Sequence, residues 1–367
     1  MFDSKNILLY PLSLVYGAVT AARNFLYNTG MLSSEEFDTP VICIGNITVG
    51  GTGKTPHTEY LIRLLKDNFK TAVLSRGYMR KSRGFRIASA SSDVSEIGDE
   101  PMQIKTKFPG ITVAVESNRV SGIRHILEEQ PETEVIILDD GFQHRRLTPG
   151  FSILLTDFSR LIVRDHLLPY GSLRESIVNM RRANIILVTK TPPDLSAIQR
   201  RLIVKEINKY PFQNLYFTSL NYGQPVPVFQ EVSETPVLNE ESGVVLVTGI
   251  ANPKPLYDLL EKKCKEIIRV DFPDHHNYSE KDLDRIESAF RELKSPVKYL
   301  ITTEKDAVRL REFINIAPEL RSAFFYIPVQ IDFLNDDRQE FDNLIVDYVR
   351  KNKRNSRISQ KEGSNRS

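Results

Sequence analysis

Gly50-Gly51-Thr52-Gly53-Lys54-Thr55 follows closely on the apolar run Val41 to Gly45 and heads an amphipathic stretch, Lys54 to Lys66. Strand, glycine-rich turn, Lys-Thr and helix in that order constrain the chain more than any other feature, because such a turn belongs where a buried parallel strand feeds a helix. Glycines let successive backbone N–H groups curl around phosphate oxygens, and the helix start adds partial positive charge. Thr48, Val49, Gly50, Gly51, Thr52, Gly53, Lys54 and Thr55 therefore read as a nucleotide-phosphate loop. In it Lys54 reaches the β- and γ-phosphates and the Thr55 hydroxyl ligates magnesium. One departure is visible: the first glycine of G-x-x-x-x-G-K-T falls on Thr48.

Val135-Ile136-Ile137-Leu138-Asp139-Asp140 fits that loop as a Walker B strand, a buried apolar run whose closing carboxylates emerge where the magnesium sits. Thr55, Asp139 and Asp140 are the expected metal ligands, and ATP with Mg2+ the expected cofactors. These motifs do not say what becomes of the γ-phosphate, so a P-loop ATPase or GTPase switch is the alternative to a kinase. The lysine that dimerising partition-type ATPases carry just ahead of the glycines is replaced by Val49, which disfavours that alternative.

The 367 residues suit two domains, and 41% hydrophobic with 26% charged residues is the balance of a folded, mainly soluble chain. A net charge of +2 gives no global reason for a polyanionic partner, and nucleic acid is not expected. Cys43 and Cys264 are too few and too scattered for a disulfide framework or zinc site, which fits a reducing, cytoplasmic setting. Short apolar runs alternate with amphipathic stretches, the pattern of an α/β protein with a largely parallel sheet. Strands are expected at Thr71 to Ser75, Ile111 to Glu116, Ser152 to Asp157 and Asn184 to Thr189, and a helix at Val120 to Glu129. Asn214 to Leu220 and Pro225 to Val232 read as a two-stranded connector. A second α/β series runs from Val244 to Val329, a helix lies near Arg338 to Tyr348, and the basic stretch from Arg350 reads as disordered.

No charged residue occurs from Asn6 through Ala22, but Pro11, Ser13, Gly17 and Thr20 interrupt the run, and neither a membrane span nor a cleaved signal is expected. As a helix with Pro11 in its first turn and Gly30 past its end, it aligns Leu8, Leu12, Val15, Val19, Ala22 and Leu26 in one apolar stripe. Such a stripe suits a core-facing helix or one lying in a bilayer interface.

Further motifs follow the P-loop in order: Ser75-Arg76-Gly77-Tyr78, Gly98-Asp99-Glu100-Pro101, Ser117-Asn118-Arg119, Leu138-Asp139-Asp140-Gly141-Phe142-Gln143-His144, Leu168-Pro169-Tyr170-Gly171-Ser172-Leu173-Arg174-Glu175 and Phe272-Pro273-Asp274-His275. The ordered set closely resembles the tetraacyldisaccharide 4′-kinases of lipid A biosynthesis, from about Pro11 to Leu310. The resemblance implies transfer of the γ-phosphate of ATP to the 4′-hydroxyl of a tetraacyl disaccharide 1-phosphate, by a peripheral enzyme on the cytoplasmic face of the inner membrane. It implies a P-loop NTPase-like α/β fold: two α/β/α domains joined by a β-hairpin connector, with an N-terminal amphipathic helix. On this reading residues 1–30 are a membrane-interface helix, 31–212 the P-loop kinase domain, 213–235 the connector, 236–349 the second domain and 350–367 the basic tail. Asp99, in a loop between Gly98 and Pro101, becomes the catalytic carboxylate and His275, from the second domain, its partner. With Lys54 these form the catalytic set. One of the pair takes the hydroxyl proton, and the residues do not say which. Arg76, Asn118, Arg119, Gln143, His144 and Arg174 become substrate contacts, Arg174 facing the charge that develops on the phosphoryl group. The cations from Arg76 to Arg86 suit an anionic lipid phosphate, and the oligomeric state is not legible.

Overall fold

The computed structural model describes residues 7–229, 236–313 and 315–364, with backbone alone from 353. The chain divides into two compact units, Met1–Ile97, Ile104–Leu220 and Ile331–Ser367 in one, Gly98–Gln103 and Asn221–Gln330 in the other.

The first unit begins with helix α1 (Tyr10–Asn28) and continues through β1 (Val41–Gly45), α2 (Lys54–Leu65), β2 (Thr71–Ser75), β3 (Arg86–Ile87) and the short α3 (Val94–Ile97). Helix α4 (Asp99–Lys107) straddles the division, and β4 (Thr112–Val115), α5 (Arg119–Glu129), β5 (Val135–Asp139), β6 (Phe151–Asp157), β7 (Ile185–Thr189), α6 (Ala197–Ile207) and β8 (Asn214–Tyr222) follow. Strands β1, β2, β5 and β7 are buried along their whole length, so they read as unbroken apolar runs rather than as alternation. Residues such as Cys43, Leu74 and Leu138 pack with Ile123 and Ile126 of α5 in one core layer.

The second unit carries β9 (Val226–Pro227), β10 (Ser242–Thr248), α7 (Lys254–Glu261), β11 (Glu266–Asp271), α8 (Glu280–Glu292), β12 (Val297–Thr303), α9 (Glu304–Leu310), α10 (Pro318–Ser322) and β13 (Phe324–Ile327). Its sheet runs β11-β10-β12-β13-β9, parallel except for β9. Alternate residues of β10 serve opposite layers. Val245 and Val247 pack with Ile286 and Phe290 of α8, while Val244 and Leu246 pack with Leu256 and Leu260 of α7.

The chain returns through β14 (Val329–Phe333) to α11 (Arg338–Ser364). The larger sheet has the order β14-β8-β7-β6-β1-β5-β2-β4-β3. The expected connector is therefore not a hairpin of Asn214–Leu220 with Pro225–Val232: β8 lies beside β7 and β14, and β9 pairs with β13. Part of the second run, residues 230–235, falls outside the described residues. Residues from Ile331 on belong to the first unit rather than to a second domain ending at 349, since Tyr60 donates to Asp342 at 2.6 Å and Tyr216 to Glu340 at 2.9 Å. The basic tail also departs from expectation, because α11 continues to Ser364. Its Lys, Arg, Gln and Glu residues are good helix formers, and no proline interrupts them.

Helix α1 starts with Pro11 in its first turn, and Gly30 beyond its end adopts φ 75°, both as the sequence predicts. Its apolar stripe does not face a core. Leu8, Leu12, Val15 and Val19 are 79%, 56%, 64% and 64% exposed, whereas Ser13 and Asn24 are buried. The polar face does the docking: Ser13 donates to Leu167 O, Tyr16 to Arg174 O and Asn24 to the Glu175 carboxylate. Among the described residues no helix is long and apolar enough to cross a membrane.

Candidate active site

Strand β1 lies between β5 and β6, and its register sets Ile44 beside Asp139. The P-loop leaves β1 just beyond that pair, so the glycine turn and both Walker B carboxylates emerge at one sheet edge.

Five consecutive carbonyls of the loop are held by donors. Arg160 Nη2 reaches Val49 O at 2.6 Å, Asn46 Nδ2 reaches Gly50 O at 3.4 Å and Lys190 Nζ reaches Gly51 O at 2.5 Å. Thr189 Oγ1 donates to Thr52 O at 2.8 Å and His57 Nδ1 to Gly53 O at 2.7 Å. A planar trans peptide points its N–H opposite to its carbonyl, so pinning these oxygens fixes the N–H groups of residues 50–54 in the opposite directions. Gly50 and Gly53 take φ of 104° and 82°, conformations that a side chain would strain. Burial pushes the His57 imidazole down to about 4, and as a neutral ring it accepts from Thr218 Oγ1 at 2.9 Å while donating to Gly53. Asn46, His57 and Arg160 escaped the sequence reading, because their partners are carbonyls, which no motif records. The Val188-Thr189-Lys190 strand exit serves this loop.

Lys54 Nζ lies 3.7 Å from Asp140 Oδ1, and Arg174 Nη1 lies 3.8 Å from Asp140 Oδ2. Asp140 holds φ at 52°, a left-handed conformation costing of order 1 kcal/mol that re-aims the side chain just past the strand. Asp139 is fully buried, with Thr58 donating to Oδ1 at 3.1 Å and Ser75 to Oδ2 at 3.5 Å. Burial, joined by the Asp140 charge, pushes its carboxyl above the usual range. A divalent cation fits here: Asp140 Oδ1 is buried without a hydrogen-bond donor, and Thr55, Asp139 and Asp140 offer only hard oxygens. No cluster of three His, Cys, Asp or Glu side chains suited to a metal occurs among the described residues.

The expected substrate residues divide. Arg76 is exposed at the end of β2, and Asn118 is the N-cap of α5. Arg119 departs from the expected role of ligand contact: it is 1% exposed, with Nη1 on Glu116 O at 2.6 Å and Nη2 on Asp139 O and Asp140 O at 3.4 Å. It braces the Walker B turn. Gln143 donates to Asn46 O. Burial, with Arg119, Arg76 and Arg23 nearby, pushes His144 down to about 4, so it is neutral near pH 7. In the basic stretch Arg80 donates to Gly84 O at 2.7 Å.

The second unit contains the pair read from the later motifs. Asp99 is not in a loop but is the first residue of α4, where a carboxylate suits the helix dipole and Pro101 suits the first turn. Residues Gly98–Gln103 pack with the second unit, so Asp99 and His275 share one unit, contrary to the domain limits read from the sequence. His275 Nδ1 lies 2.8 Å from Asp99 Oδ2, and His275 holds φ at 58°. Burial opposes the Asp99 charge, but hydrogen bonds from His275 and Arg309 outweigh it and hold the carboxyl below its usual range. Asp99 is 2% exposed and the His275 side chain 18%, so the imidazole is the accessible member. His276, the ambiguous neighbour, bonds instead to Asp282 at 3.0 Å. Asp306 accepts from Gly249 N, Tyr278 and Thr303, tying the ends of β10 and β12 to the loop that carries His275.

A central parallel strand, a glycine loop with clamped carbonyls and an adjoining acidic strand end define a P-loop nucleotide-binding α/β protein. Residues 5–350 match the family described as Tetraacyldisaccharide-1-P 4'-kinase, LpxK, and the chain belongs to that family. It is 47% identical to a tetraacyldisaccharide 4'-kinase of Bacteroides thetaiotaomicron, over 98% of this chain and 97% of the relative. A second, from Flavobacterium johnsoniae, is 42% identical over 94% and 97%. The solved structure of LpxK from Aquifex aeolicus in complex with ATP is similar at a TM-score of 0.72 and 28% identity, covering 94% of this chain and 99% of that one.

Proposed function

We propose that the chain phosphorylates the 4′-hydroxyl of a tetraacyl disaccharide 1-phosphate, using ATP and Mg2+, as an enzyme of lipid A biosynthesis. Family membership over nearly the whole chain supports the substrate, and the ATP complex of the Aquifex aeolicus relative supports the donor.

Phosphoryl transfer asks the protein for position and charge rather than covalent chemistry. The N–H groups directed by the clamped P-loop carbonyls hold the phosphates, and Lys54 and Arg174 supply positive charge beside Asp140. Thr55, Asp139 and Asp140 would hold Mg2+, which when bound offsets the charge of the phosphate oxygens. The observation that carries the reaction type is the His275–Asp99 hydrogen bond, a feature that nucleotide binding alone does not require. Asp99 orients the ring through Nδ1, leaving Nε2 as the proton acceptor for a sugar hydroxyl. Arg76 and Asn118 are the exposed candidates for the lipid head.

The exposed apolar stripe of α1, anchored from behind through Ser13, Tyr16 and Asn24, supports a peripheral seat on the cytoplasmic face of the inner membrane, with the lipid substrate drawn from that surface. Incubation with labelled ATP and tetraacyl disaccharide 1-phosphate in mixed micelles should yield a doubly phosphorylated lipid, and Lys54→Ala should lower that turnover by at least about a hundredfold. Steady ATP hydrolysis with no labelled lipid would instead indicate a nucleotide switch.

A further inference from the structure

Lys305 and Arg309 lie one turn apart on α9 and so share a face of it. Arg309 grips Asp99 with two parallel bonds, Nε to Oδ1 at 2.6 Å and Nη2 to Oδ2 at 2.6 Å, and both side chains are buried. Its third nitrogen, Nη1, donates to the carbonyls of His275 and His276. One guanidinium therefore fixes both the carboxylate and the left-handed turn that carries the imidazole. Lys305 Nζ lies 3.0 Å from His275 Nε2 and 2.8 Å from Asp274 Oδ1. An ammonium has only protons to give, so Nε2 in this arrangement presents a lone pair and the ring proton sits on Nδ1 against Asp99.

We infer that Arg309 and Lys305 are positioning residues of the Asp99–His275 pair: Arg309 locks carboxylate and imidazole in one geometry, and Lys305 keeps Nε2 unprotonated and aimed until an acceptor hydroxyl replaces it. The inference rests on the reading of that pair as the base. In the step it serves, the sugar O–H bond breaks and its proton passes to Nε2. The sugar oxygen bonds to the γ-phosphorus as the bond from that phosphorus to the β–γ bridging oxygen breaks, and ADP leaves. Lys305 already holds Asp274 and keeps that partner when the hydroxyl enters. Among the described residues, charged groups bonded to His275 or its Asp99 partner include Asp99 from α4, Asp274 from the preceding loop, and Lys305 and Arg309 from α9. Asp282 of α8 is engaged with His276, and Asp306 with Tyr278, Thr303 and Gly249. Two cations balance two carboxylates, so loss of either cation favours the charged imidazole.

The test is a pair of measurements on the full chain: kcat against pH, and an NMR titration of the His275 side chain in nucleotide-free protein, assigned by its loss in His275→Asn. Lys305→Met should raise the titration midpoint and the acid limb of kcat by about one pH unit, and Lys305→Arg should restore both. Arg309→Lys keeps the charge but loses the fork, and should lower kcat by about a hundredfold with the KM for ATP within about twofold. An unmoved midpoint and limb in Lys305→Met, or a KM for ATP rising as far as kcat falls in Arg309→Lys, would overturn the proposal. If Arg309→Lys does not fold, Lys305→Met, at a partly exposed site, decides alone. The NMR arm needs no turnover. A shifted midpoint together with unimpaired kcat in His275→Ala would therefore remove the base reading and leave the positioning intact.

Discussion

Arg309 and Asp99 stand 210 positions apart in sequence and meet as a buried, two-bonded ion pair with both contacts at 2.6 Å. Truncating one side of such a pair strands the other charge in a dry setting, at a cost of about 3–5 kcal/mol. The pair is thus a structural joint of the second unit as well as part of its chemistry.

That joint makes stability depend on pH. The folded carboxyl of Asp99 is held below its unfolded value of about 3.9, so its contribution is complete above that value and is lost as pH falls through the folded one. Asp99→Asn should therefore be less stable than the wild type at pH 7, with a gap that narrows below about pH 4. Urea unfolding at a series of pH values measures this, and a gap that stays constant down to pH 3 would contradict it.

Asp99→Ala and His275→Ala should each lower kcat by about 10²–10⁴-fold, the contribution of a positioned acid–base group. Members of one unit are non-additive, so the double variant should be scarcely worse than the poorer single. Both singles should still bind ATP. Fully multiplicative losses would show that the two side chains act independently.

His57 donates to Gly53 O and accepts from Thr218, so His57→Leu should slacken the loop and raise the KM for ATP by about tenfold, with a smaller change in the KM for lipid. His57→Asn, whose amide can reach the Gly53 carbonyl, should recover most of the loss. Equal behaviour of the two variants would mean that the carbonyl bond does not matter.

On α1 the exposed stripe and the buried polar anchors can be separated. The triple variant Leu12→Gln, Val15→Gln, Val19→Gln leaves Ser13, Tyr16 and Asn24 in place, and should keep the melting temperature within about 2 °C while weakening sedimentation with anionic vesicles by about tenfold. A collapse of the melting temperature with unchanged vesicle binding would make the stripe a structural face after all.

The sequence by itself determined the central strands and the phosphate loop. Val41–Gly45, Thr71–Ser75 and Val135–Asp139 appear with the bounds that the apolar runs predict, because strands buried on both faces need unbroken apolar residues. The left-handed backbone at Gly50 and Gly53 is a local requirement that glycine meets without strain. Where the competing signals were also local, legibility failed. Helix α6 was missed, and Asp99 read as a loop residue, since Gly98 and Pro101 mark a turn as readily as a helix start. Only the tertiary structure decided the rest. The direction of the α1 stripe could not be read, because the hydrophobic effect is non-directional and the same stripe suits protein or lipid. The clamps on the P-loop carbonyls from Arg160 and Thr189, and the grip of Arg309 on Asp99, are contacts between distant positions whose partners are backbone oxygens or a single carboxylate. Such contacts leave no periodicity in the chain and exist only once each unit has folded.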